Sequence, residues 1–256
     1  MHKSGWLRLP LIGTFLFLYT PILVLVFLSF NRSDSPFSWG GFSTKWYQGL
    51  LSNSKILEGL GNTLTVAFSA TFFAAILGTL LAVGLHRHSR STFLQAFSLA
   101  PAIVPDLVLG IGLLVFYSII QMSLGLHSVL IAHIVFGSAF VTAVVRARLD
   151  HTDPSLEEVA RDLGASATTT FIRITIPSLM PAIISGALLV FTLSMDEFVV
   201  AFFTAGPASP TLPIVVYSMV RFGVTPEINA LASVLLLVSF TLILAAQRIT
   251  KLTDAV

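Results

Sequence analysis

The sequence predicts an all-α membrane protein with six transmembrane helices and a cytoplasmic loop between helices four and five. Of its 256 residues, 55% are hydrophobic and only 10% are charged, and the mean hydropathy is +0.91. A soluble domain carries about 25% charged residues, so this chain cannot cover a soluble fold with charge. Six apolar stretches reach the roughly 20 residues that a bilayer-spanning helix needs. They lack the alternating pattern of barrel strands, which are about 10 residues long.

Composition also excludes several classes of function. The chain has no cysteine, which rules out disulfide scaffolds, thiolate metal sites and cysteine nucleophiles. A net charge of +2 is too small for a nucleic-acid-binding surface, so no nucleic-acid partner is expected. The phosphate-binding pattern G-x-x-x-x-G-K-[ST] does not occur. The chain is therefore expected to bind no ATP by that motif and not to be an enzyme by itself.

The predicted spans form one transmembrane domain over residues 1–256. Their bounds are Leu9–Phe30, Leu57–Leu85, Phe93–Ile120, His127–Val145, Leu179–Ala205 and Ile228–Ala246. A cleaved signal peptide is the alternative for the first stretch, because Lys3 and Arg8 precede it. The stretch is long for a signal peptide, and Ser29-Phe30-Asn31 offers no small-x-small cleavage site, so it is assigned as a span.

The basic residues of the loops predict the orientation, because cytoplasmic loops are enriched in Lys and Arg. With the N-terminus inside, ten basic residues lie on the cytoplasmic side and four on the outer side. The inner set is Lys3, Arg8, Arg87, Arg90, Arg146, Arg148, Arg161, Arg173, Arg248 and Lys251. The outer set is Arg32, Lys45, Lys55 and Arg221. Both termini are therefore expected in the cytoplasm.

The cytoplasmic loop over residues 146–178 has the pattern of two short helices. Asp153-Pro154 is typical of a helix start, and Gly164 suits a left-handed end. A second helix is predicted over Ala167–Thr175, ending before Pro177. One side of the first helix carries an apolar stripe formed by Leu156, Val159, Ala160 and Leu163. This pattern fits a solvated hairpin or a rigid knob that enters a groove of a cytoplasmic partner, and it does not choose between them.

Three carboxylates lie within predicted spans, namely Asp106, Asp196 and Glu197. Burying a carboxylate at the bilayer centre costs on the order of 3 kcal/mol, so such residues usually face a bundle interior or a water-filled path. The spans contain no Lys or Arg at that depth to neutralise them. These residues are the candidates for a path that favours cations.

The depth and role of each carboxylate leave alternatives open. At about 1.5 Å per residue, Asp106 and Asp196 lie roughly 20 Å above the cytoplasmic start of their helices. Asp106 follows Pro105 and can instead satisfy backbone groups that the proline leaves free. Glu197 can lie near the outer interface or contact another subunit. Two aspartates that share a proton also allow an intramembrane hydrolase based on Asp106 and Asp196.

The cytoplasmic loop resembles the EAA motif of ATP-binding-cassette (ABC) importer permeases. The matching residues are Glu158-Val159-Ala160, then Gly164, then Ile174-Thr175-Ile176-Pro177, with the motif's spacing throughout. The chain departs from the pattern at Val159, usually Ala, and at Ile176, usually Leu. The resemblance implies the six-helix type I permease fold and a coupling helix that enters a cleft of a separate ATPase subunit. It assigns that contact to Glu158, Ala160, Arg161, Asp162 and Gly164.

Downstream segments are similar to the spermidine/putrescine branch of these permeases. They are Ser194-Met195-Asp196-Glu197, Gly206-Pro207, Leu212-Pro213, Tyr217-Ser218-Met219-Val220, Gly223-Val224, Pro226-Glu227 and Asn229-Ala230-Leu231. The resemblance implies polyamine import across the bacterial inner membrane. The implied partners are two copies of an ATPase subunit, which binds ATP and Mg, a second homologous permease in a heterodimer, and an extracytoplasmic substrate-binding protein.

Other functions share part of this pattern. Permeases for iron, sulfate, molybdate or phosphate have the same fold, although a path lined by unpaired acids repels an anion. A channel would leave the EAA-like loop without a role. An intramembrane enzyme would also leave that loop unexplained.

Overall fold

The computed structural model describes residues 8–35, 38–89, 91–223 and 225–253, apart from the side chains of residues 242–253. These residues are almost entirely helical. The helices are α1 (Arg8–Ser29), α2 (Lys45–Leu50), α3 (Ser54–His88), α4 (Thr92–Ile103), α5 (Asp106–Ile119), α6 (Leu126–Leu149), α7 (Ser155–Asp162), α8 (Ala167–Thr170), α9 (Ile176–Asp196), α10 (Val199–Thr204), α11 (Leu212–Phe222) and α12 (Pro226–Thr253). A π-helical turn, Phe171–Thr175, joins α8 to α9. In this part of the chain, the β pairing is one isolated bridge between Asn31 and Phe42.

Helices of spanning length occur where the sequence predicts spans one, two, four and five. Within the described residues, four helices are long and apolar enough to cross a membrane, namely Arg8–Ser29, Ser54–His88, Leu126–Leu149 and Ala167–Asp196. The pair α4 and α5 gives a fifth if it counts as one span. The sixth predicted span, Ile228–Ala246, lies in α12, and its side chains beyond Thr241 are outside the described residues. The all-α membrane fold is thus confirmed, and the count of six remains a prediction.

The third predicted span is not one straight helix. The axes of α4 and α5 bend by 105° at Val104 and Pro105. Val104 has the extended conformation typical of a residue before proline, with ψ 135°. Pro105 has no N–H to continue the helical hydrogen bonds, so α5 begins anew at Asp106. The depth predicted for Asp106 assumed a straight helix and does not follow from the residue count.

The fifth predicted span begins earlier and breaks earlier than expected. The second short helix does not end before Pro177, because Ala167–Asp196 is one continuous helical segment. Within it, the N–H of Ile176 bonds to the Phe171 carbonyl, five residues back, so the π turn adjusts the register before the proline. At its C-terminal end the helix stops at Asp196, and Glu197 takes an extended conformation with ψ 106°.

The loop between the last two predicted spans contains a helix that the sequence analysis did not predict, the 11-residue α11. The segment before it is attached to α3. Asn62 Nδ2 donates to the Pro210 carbonyl at 2.9 Å, and the Leu212 N–H donates to Thr63 Oγ1 at 2.8 Å. Four prolines in this stretch favour a loop in the sequence, yet Pro213 is only the second residue of α11, where proline is tolerated.

The chain divides into two compact units. One comprises described residues within 1–57 and 215–244, and the other comprises those within 58–214 and the end of α12. In the first unit, buried Asn31 organises the loop after α1, since its Oδ1 accepts from the backbone N–H groups of Ser33 and Gly40.

The second unit carries the predicted functional residues and is built on close helix contacts. A Cβ atom on Gly78 of α3 would lie 2.6 Å from Val141 Cβ of α6, and one on Gly137 would lie 2.8 Å from Val190 Cγ1 of α9. Thr142 Oγ1 also donates to the Gly78 carbonyl at 3.2 Å. Small residues therefore let α3, α6 and α9 approach closely, as is typical of membrane helices.

Candidate functional site

The three carboxylates predicted to line a path come together at two helix breaks. Asp106 is the first residue of α5, Asp196 is the last residue of α9, and Glu197 lies in the break before α10. Helices α5 and α10 pack against each other, and a Cβ on Gly110 of α5 would lie 3.1 Å from the ring of Phe203 in α10. The Glu197 carboxylate is within electrostatic range of both Asp106 and Asp196. We call these three residues the acidic cluster.

The members of the acidic cluster differ in their surroundings. Glu197 is half-buried, and its Oε1 accepts from the Val200 N–H at 2.8 Å, in the first turn of α10. Asp106 and Asp196 are exposed. In the described part of the chain, neither aspartate carboxylate forms an ion pair or accepts a hydrogen bond. An exposed, unpaired carboxylate within a span needs water or another protein chain beside it.

The spacing of the acidic cluster bears on the kind of cation that it suits. Among the described residues, no group of three or more His, Asp or Glu side chains converges to metal-ligand geometry. Carboxylates that lie near one another without converging on one point suit a cation with several separated charges better than a single metal ion.

Buried polar contacts hold the helix that ends in Asp196. Ser194 and His133 are both almost completely buried, and Ser194 Oγ lies 2.7 Å from His133 Nδ1 in α6. Nearby, Ser128 Oγ of α6 donates to the carbonyl of Thr204, the last residue of α10, at 2.7 Å. Both helices that flank the Glu197 break are thus attached to α6. The sequence offered little indication of these buried polar contacts. A single polar residue in an apolar span has no periodic pattern from which its hydrogen-bond partner can be predicted.

At the other end of the unit, α7 begins and ends where the sequence predicts. Asp153 Oδ1 accepts from the Ser155 N–H at 2.9 Å, and the hydrogen bonds from Ser155 hold the pKa of this carboxyl below its ordinary value. At the other end, the Ala165 N–H bonds to the Ala160 carbonyl and the Gly164 N–H bonds to that of Arg161. Gly164 has φ +88°, the left-handed conformation that favours glycine.

Most of the apolar stripe of α7 is left uncovered by the described part of the chain. Leu156, Val159 and Leu163 are 53%, 56% and 84% exposed. Of the residues that the EAA resemblance assigns to the ATPase contact, Glu158, Arg161, Asp162 and Gly164 are exposed and Ala160 is half-buried. A shallow groove beside the stripe is lined by Ala160, Leu163, Gly164, Ala165, Thr169, Thr170, Arg173 and Ile174. Exposed apolar side chains surrounded by polar ones are typical of a surface that meets a partner.

One residue of α7 has a role that the sequence analysis missed. Glu157 lies outside the apolar stripe, yet its side chain is only 22% exposed and forms an ion pair with Arg87 Nη2 of α3. Thr175 Oγ1 donates to the same Glu157 oxygen at 2.6 Å. Helix periodicity places Glu157 beside the apolar stripe and does not reveal that a basic residue 70 positions away lies opposite it.

Comparisons with known proteins agree with this architecture. The sequence profile of the family described as "Binding-protein-dependent transport system inner membrane component" matches residues 74–255. Among solved structures, a bacterial ABC transporter involved in the import of the acidic polysaccharide alginate aligns with a TM-score of 0.75 at 17% identity, covering 97% of this chain and 98% of that one. The MetNI methionine ABC transporter aligns with a TM-score of 0.65 at 18% identity, over 77% and 94%. This chain belongs to the binding-protein-dependent inner membrane component family and is a multi-pass inner-membrane protein.

Two individual relatives show which permeases within this family the chain resembles. The chain is 43% identical to the putrescine transport system permease protein PotI of Escherichia coli (strain K12), covering 91% of this chain and 86% of that protein. It is 41% identical to the spermidine/putrescine transport system permease protein PotC of the same organism, covering 92% and 90%. The sequence resemblance to polyamine permeases is therefore confirmed over most of the chain.

Proposed function

We propose that this chain is the permease subunit of an ABC importer that carries a polyamine, spermidine or putrescine, across the inner membrane. The observation that carries the proposal is the position of three carboxylates, Asp106, Asp196 and Glu197, at two helix breaks. There Glu197 interacts electrostatically with both aspartates. The names of the relatives PotI and PotC, at 43% and 41% identity, support the same substrate class. In this proposal the three carboxylates line the substrate path.

Polyamine chemistry fits this cluster. Alkylamines are protonated at neutral pH, as lysine is with a pKa of about 10.4. The charges of a polyamine are separated by methylene groups. One polyamine therefore interacts with several separate carboxylates, whereas a metal ion needs ligands that converge on one point. The two exposed aspartates attract such a cation, while Glu197 keeps its hydrogen bond to α10. The same charges repel the sulfate, molybdate or phosphate that other importers carry.

Energy reaches the path from a separate ATPase. We infer that α7 enters a cleft of that subunit through its apolar stripe, with Glu158, Ala160, Arg161, Asp162 and Gly164 in the contact. Two ATPase copies bind ATP and Mg, and their closure and opening alternate the access of the path. The chain itself catalyses no reaction in this scheme.

The proposed importer contains two further kinds of protein besides the ATPase. A second, different permease forms the other half of the path, and an extracytoplasmic binding protein delivers the substrate. One structural neighbour, the alginate transporter, is described in complex with a substrate-bound periplasmic protein. Both termini lie in the cytoplasm, as the ten-to-four bias of basic residues indicates.

The test is ATPase activity and uptake by the complete complex in liposomes. Candidate binding proteins loaded with spermidine, putrescine, sulfate or ferric iron are added one at a time. Stimulation and uptake only with a polyamine-loaded protein are expected. Stimulation only by the sulfate- or iron-loaded protein would contradict the polyamine assignment and leave the importer assignment standing. A complex that no donor stimulates, or that transports without ATP, would contradict the importer assignment itself.

A further inference from the structure

Three elements of the cytoplasmic end meet at one carboxylate oxygen. Arg87 lies at the last turn of α3, Glu157 in the first turn of α7, and Thr175 at the end of the π turn that leads into α9. Arg87 Nη2 contacts Glu157 Oε1 and also donates to Thr175 Oγ1 at 2.9 Å. Thr175 Oγ1 donates to Glu157 Oε1 at 2.6 Å. The three side chains therefore form a closed triangle of polar contacts.

The triangle is sheltered from solvent. The side chains of Arg87 and Glu157 are 23% and 22% exposed, and Thr175 is buried. Water screens such a pair less than it screens an exposed one, and removing one partner leaves the other charge uncompensated. By contrast, Glu158, the next residue, is exposed. Glu157 and Glu158 thus point to different surroundings, one toward this chain and one away from it.

A second pair lies at the same end of α3. His86 Nδ1 lies 3.5 Å from Asp150 Oδ1, and Asp150 is the residue that follows α6. Adjacent residues of α3 therefore lie beside both the segment that enters α7 and α7 itself. Beyond Thr175 the chain continues as α9 without a break until Asp196 in the acidic cluster.

We propose that Arg87, Glu157 and Thr175 form a latch that transmits movement of α7 to two membrane helices, α3 and α9. The proposal rests on the proposed docking of α7 to an ATPase subunit. A displaced α7 pulls on α3 through Arg87 and on α9 through Thr175. The end of α9 carries Asp196, so the latch connects ATP-driven motion to the substrate path. The three are positioning residues, since none of them touches the substrate or ATP.

The first experiment exchanges the charges of the latch. The variants Arg87→Glu, Glu157→Arg and the double exchange are reconstituted with the complete complex, and association with the ATPase, ATP hydrolysis and uptake are measured. The single variants are expected to keep ATPase association while uptake per ATP hydrolysed falls about tenfold, a usual size for coupling between sites. The double exchange is expected to regain most of that ratio. The control is Arg148→Glu, because Arg148 is exposed, lies near the same end and has no ion pair among the described residues.

Three results would overturn the latch, two of them in the ratio of uptake to ATP hydrolysed. One is wild-type uptake per ATP in the single variants, and the other is a double exchange no better than the singles. Loss of ATPase association in the singles would also overturn it, because the ion pair would then belong to the docking surface. Failure of the proposed docking is separate: it would leave ATPase association intact in Gly164→Leu, a variant outside the triangle.

A milder variant covers the case in which a charge exchange prevents folding. Thr175→Val removes the hydroxyl and keeps the size of the side chain and the Arg87–Glu157 ion pair. The expected result is a two- to threefold fall in uptake per ATP, with the amount of assembled complex unchanged. Ser178→Ala is the matched control, because Ser178 Oγ bonds only to the Thr175 carbonyl within its own helix among the described residues. Equal ratios in the two variants would contradict a transmitting role for Thr175.

Discussion

The acidic cluster and the latch use carboxylates in opposite ways. In the latch, Glu157 is three-quarters covered and bonds to both Arg87 and Thr175. In the acidic cluster, Asp106 and Asp196 are exposed, and no described residue pairs with them. A carboxylate whose partners lie within its own chain contributes to that chain's geometry. A carboxylate without such a partner, at membrane depth, is available to a cation that arrives from outside the chain.

Glu197 lies between these two cases. It belongs to the acidic cluster by position, yet its Oε1 accepts the Val200 N–H and so holds the start of α10. Position alone therefore does not tell a path residue from a structural one. The variants below separate the two by measuring transport and assembly independently.

The largest effect is expected from Gly164→Leu, which alters the end of α7. Gly164 has φ +88°, and a non-glycine residue there costs roughly 1–2 kcal/mol in a left-handed conformation. The turn would move Leu163 and the apolar stripe, so ATPase association and uptake should both fall to background. Copurification of the ATPase measures the first effect and liposome uptake the second.

Gly49→Leu is the control for this variant. Gly49 also has open space around the position of a Cβ, without a left-handed φ. It should retain ATPase association and uptake. A Gly164→Leu complex that assembles and transports normally would remove α7 from the coupling role.

The next effect is expected from Asp196→Asn in the acidic cluster. The change keeps the shape of the side chain and removes its charge, so polyamine uptake should fall about tenfold, equal to about 1.4 kcal/mol. ATPase association should not change, because Asp196 lies at the end of α9 opposite Thr175. Uptake of radiolabelled substrate and copurification are measured together.

Glu58→Gln is the matched control for charge. Glu58 is an exposed carboxylate in α3, and no described residue forms an ion pair with it. It should transport normally. Equal losses in the two variants would mean that total charge, rather than the position of Asp196, governs uptake.

A smaller effect is expected from Glu197→Gln. The amide oxygen of Gln accepts the Val200 N–H as well, so the hydrogen bond to α10 is retained while the charge is lost. Uptake should fall only two- to threefold, because that hydrogen bond survives and the two exposed aspartates keep their charges. Glu197→Leu, which loses both, should reduce uptake and thermal stability further. A tenfold loss in Glu197→Gln at unchanged stability would instead group Glu197 with the two aspartates.

The smallest effect is expected from Asp153→Ala at the start of α7. The hydrogen bonds from Ser155 depress the pKa of Asp153 in the folded state, so the charged carboxylate stabilises the folded helix. That contribution is present above the ordinary aspartate pKa of about 3.9 and is lost as pH falls through the lower folded value. Hydrogen exchange of the α7 amides should therefore be about twofold faster in the variant at pH 7.

The difference between Asp153→Ala and the wild type should disappear below the folded pKa of Asp153, where the wild-type carboxyl is protonated as well. Asp162→Ala is the control, since Asp162 is exposed at the far end of α7. A difference in hydrogen exchange that persists unchanged at low pH would contradict a stabilising role for the charged Asp153 carboxylate.

Much of the fold was predictable because its causes are local. Hydropathy located the spanning helices α1, α3, α6 and α9, since burial in lipid depends on the composition of each segment alone. Asp153 and Gly164 marked the ends of α7, because the hydrogen bond from the Ser155 N–H to Asp153 and a left-handed turn involve only neighbouring residues. The same local pattern supported the family resemblance.

The breaks within the spans were harder to predict. Proline is common in membrane helices, where neighbouring groups can satisfy the freed backbone, so the sequence favoured a continuous span through Pro105. The structure has a bend of 105° there and a continuous helix through Pro177, two opposite outcomes for one residue type. A π turn precedes Pro177 and adjusts the helical register there, whereas α5 begins anew after Pro105.

The sequence by itself determined that this protein is a helical membrane subunit, where its apolar helices lie, and where the exposed helix α7 begins and ends. Only the tertiary structure decided which charges meet. Arg87, Glu157 and Thr175 come together across separations of 70 and 88 residues, and Asp106 comes within electrostatic range of Glu197 because α5 packs on α10. Hydropathy and capping act within one segment, whereas such contacts depend on how distant helices pack and bend, which no single segment encodes.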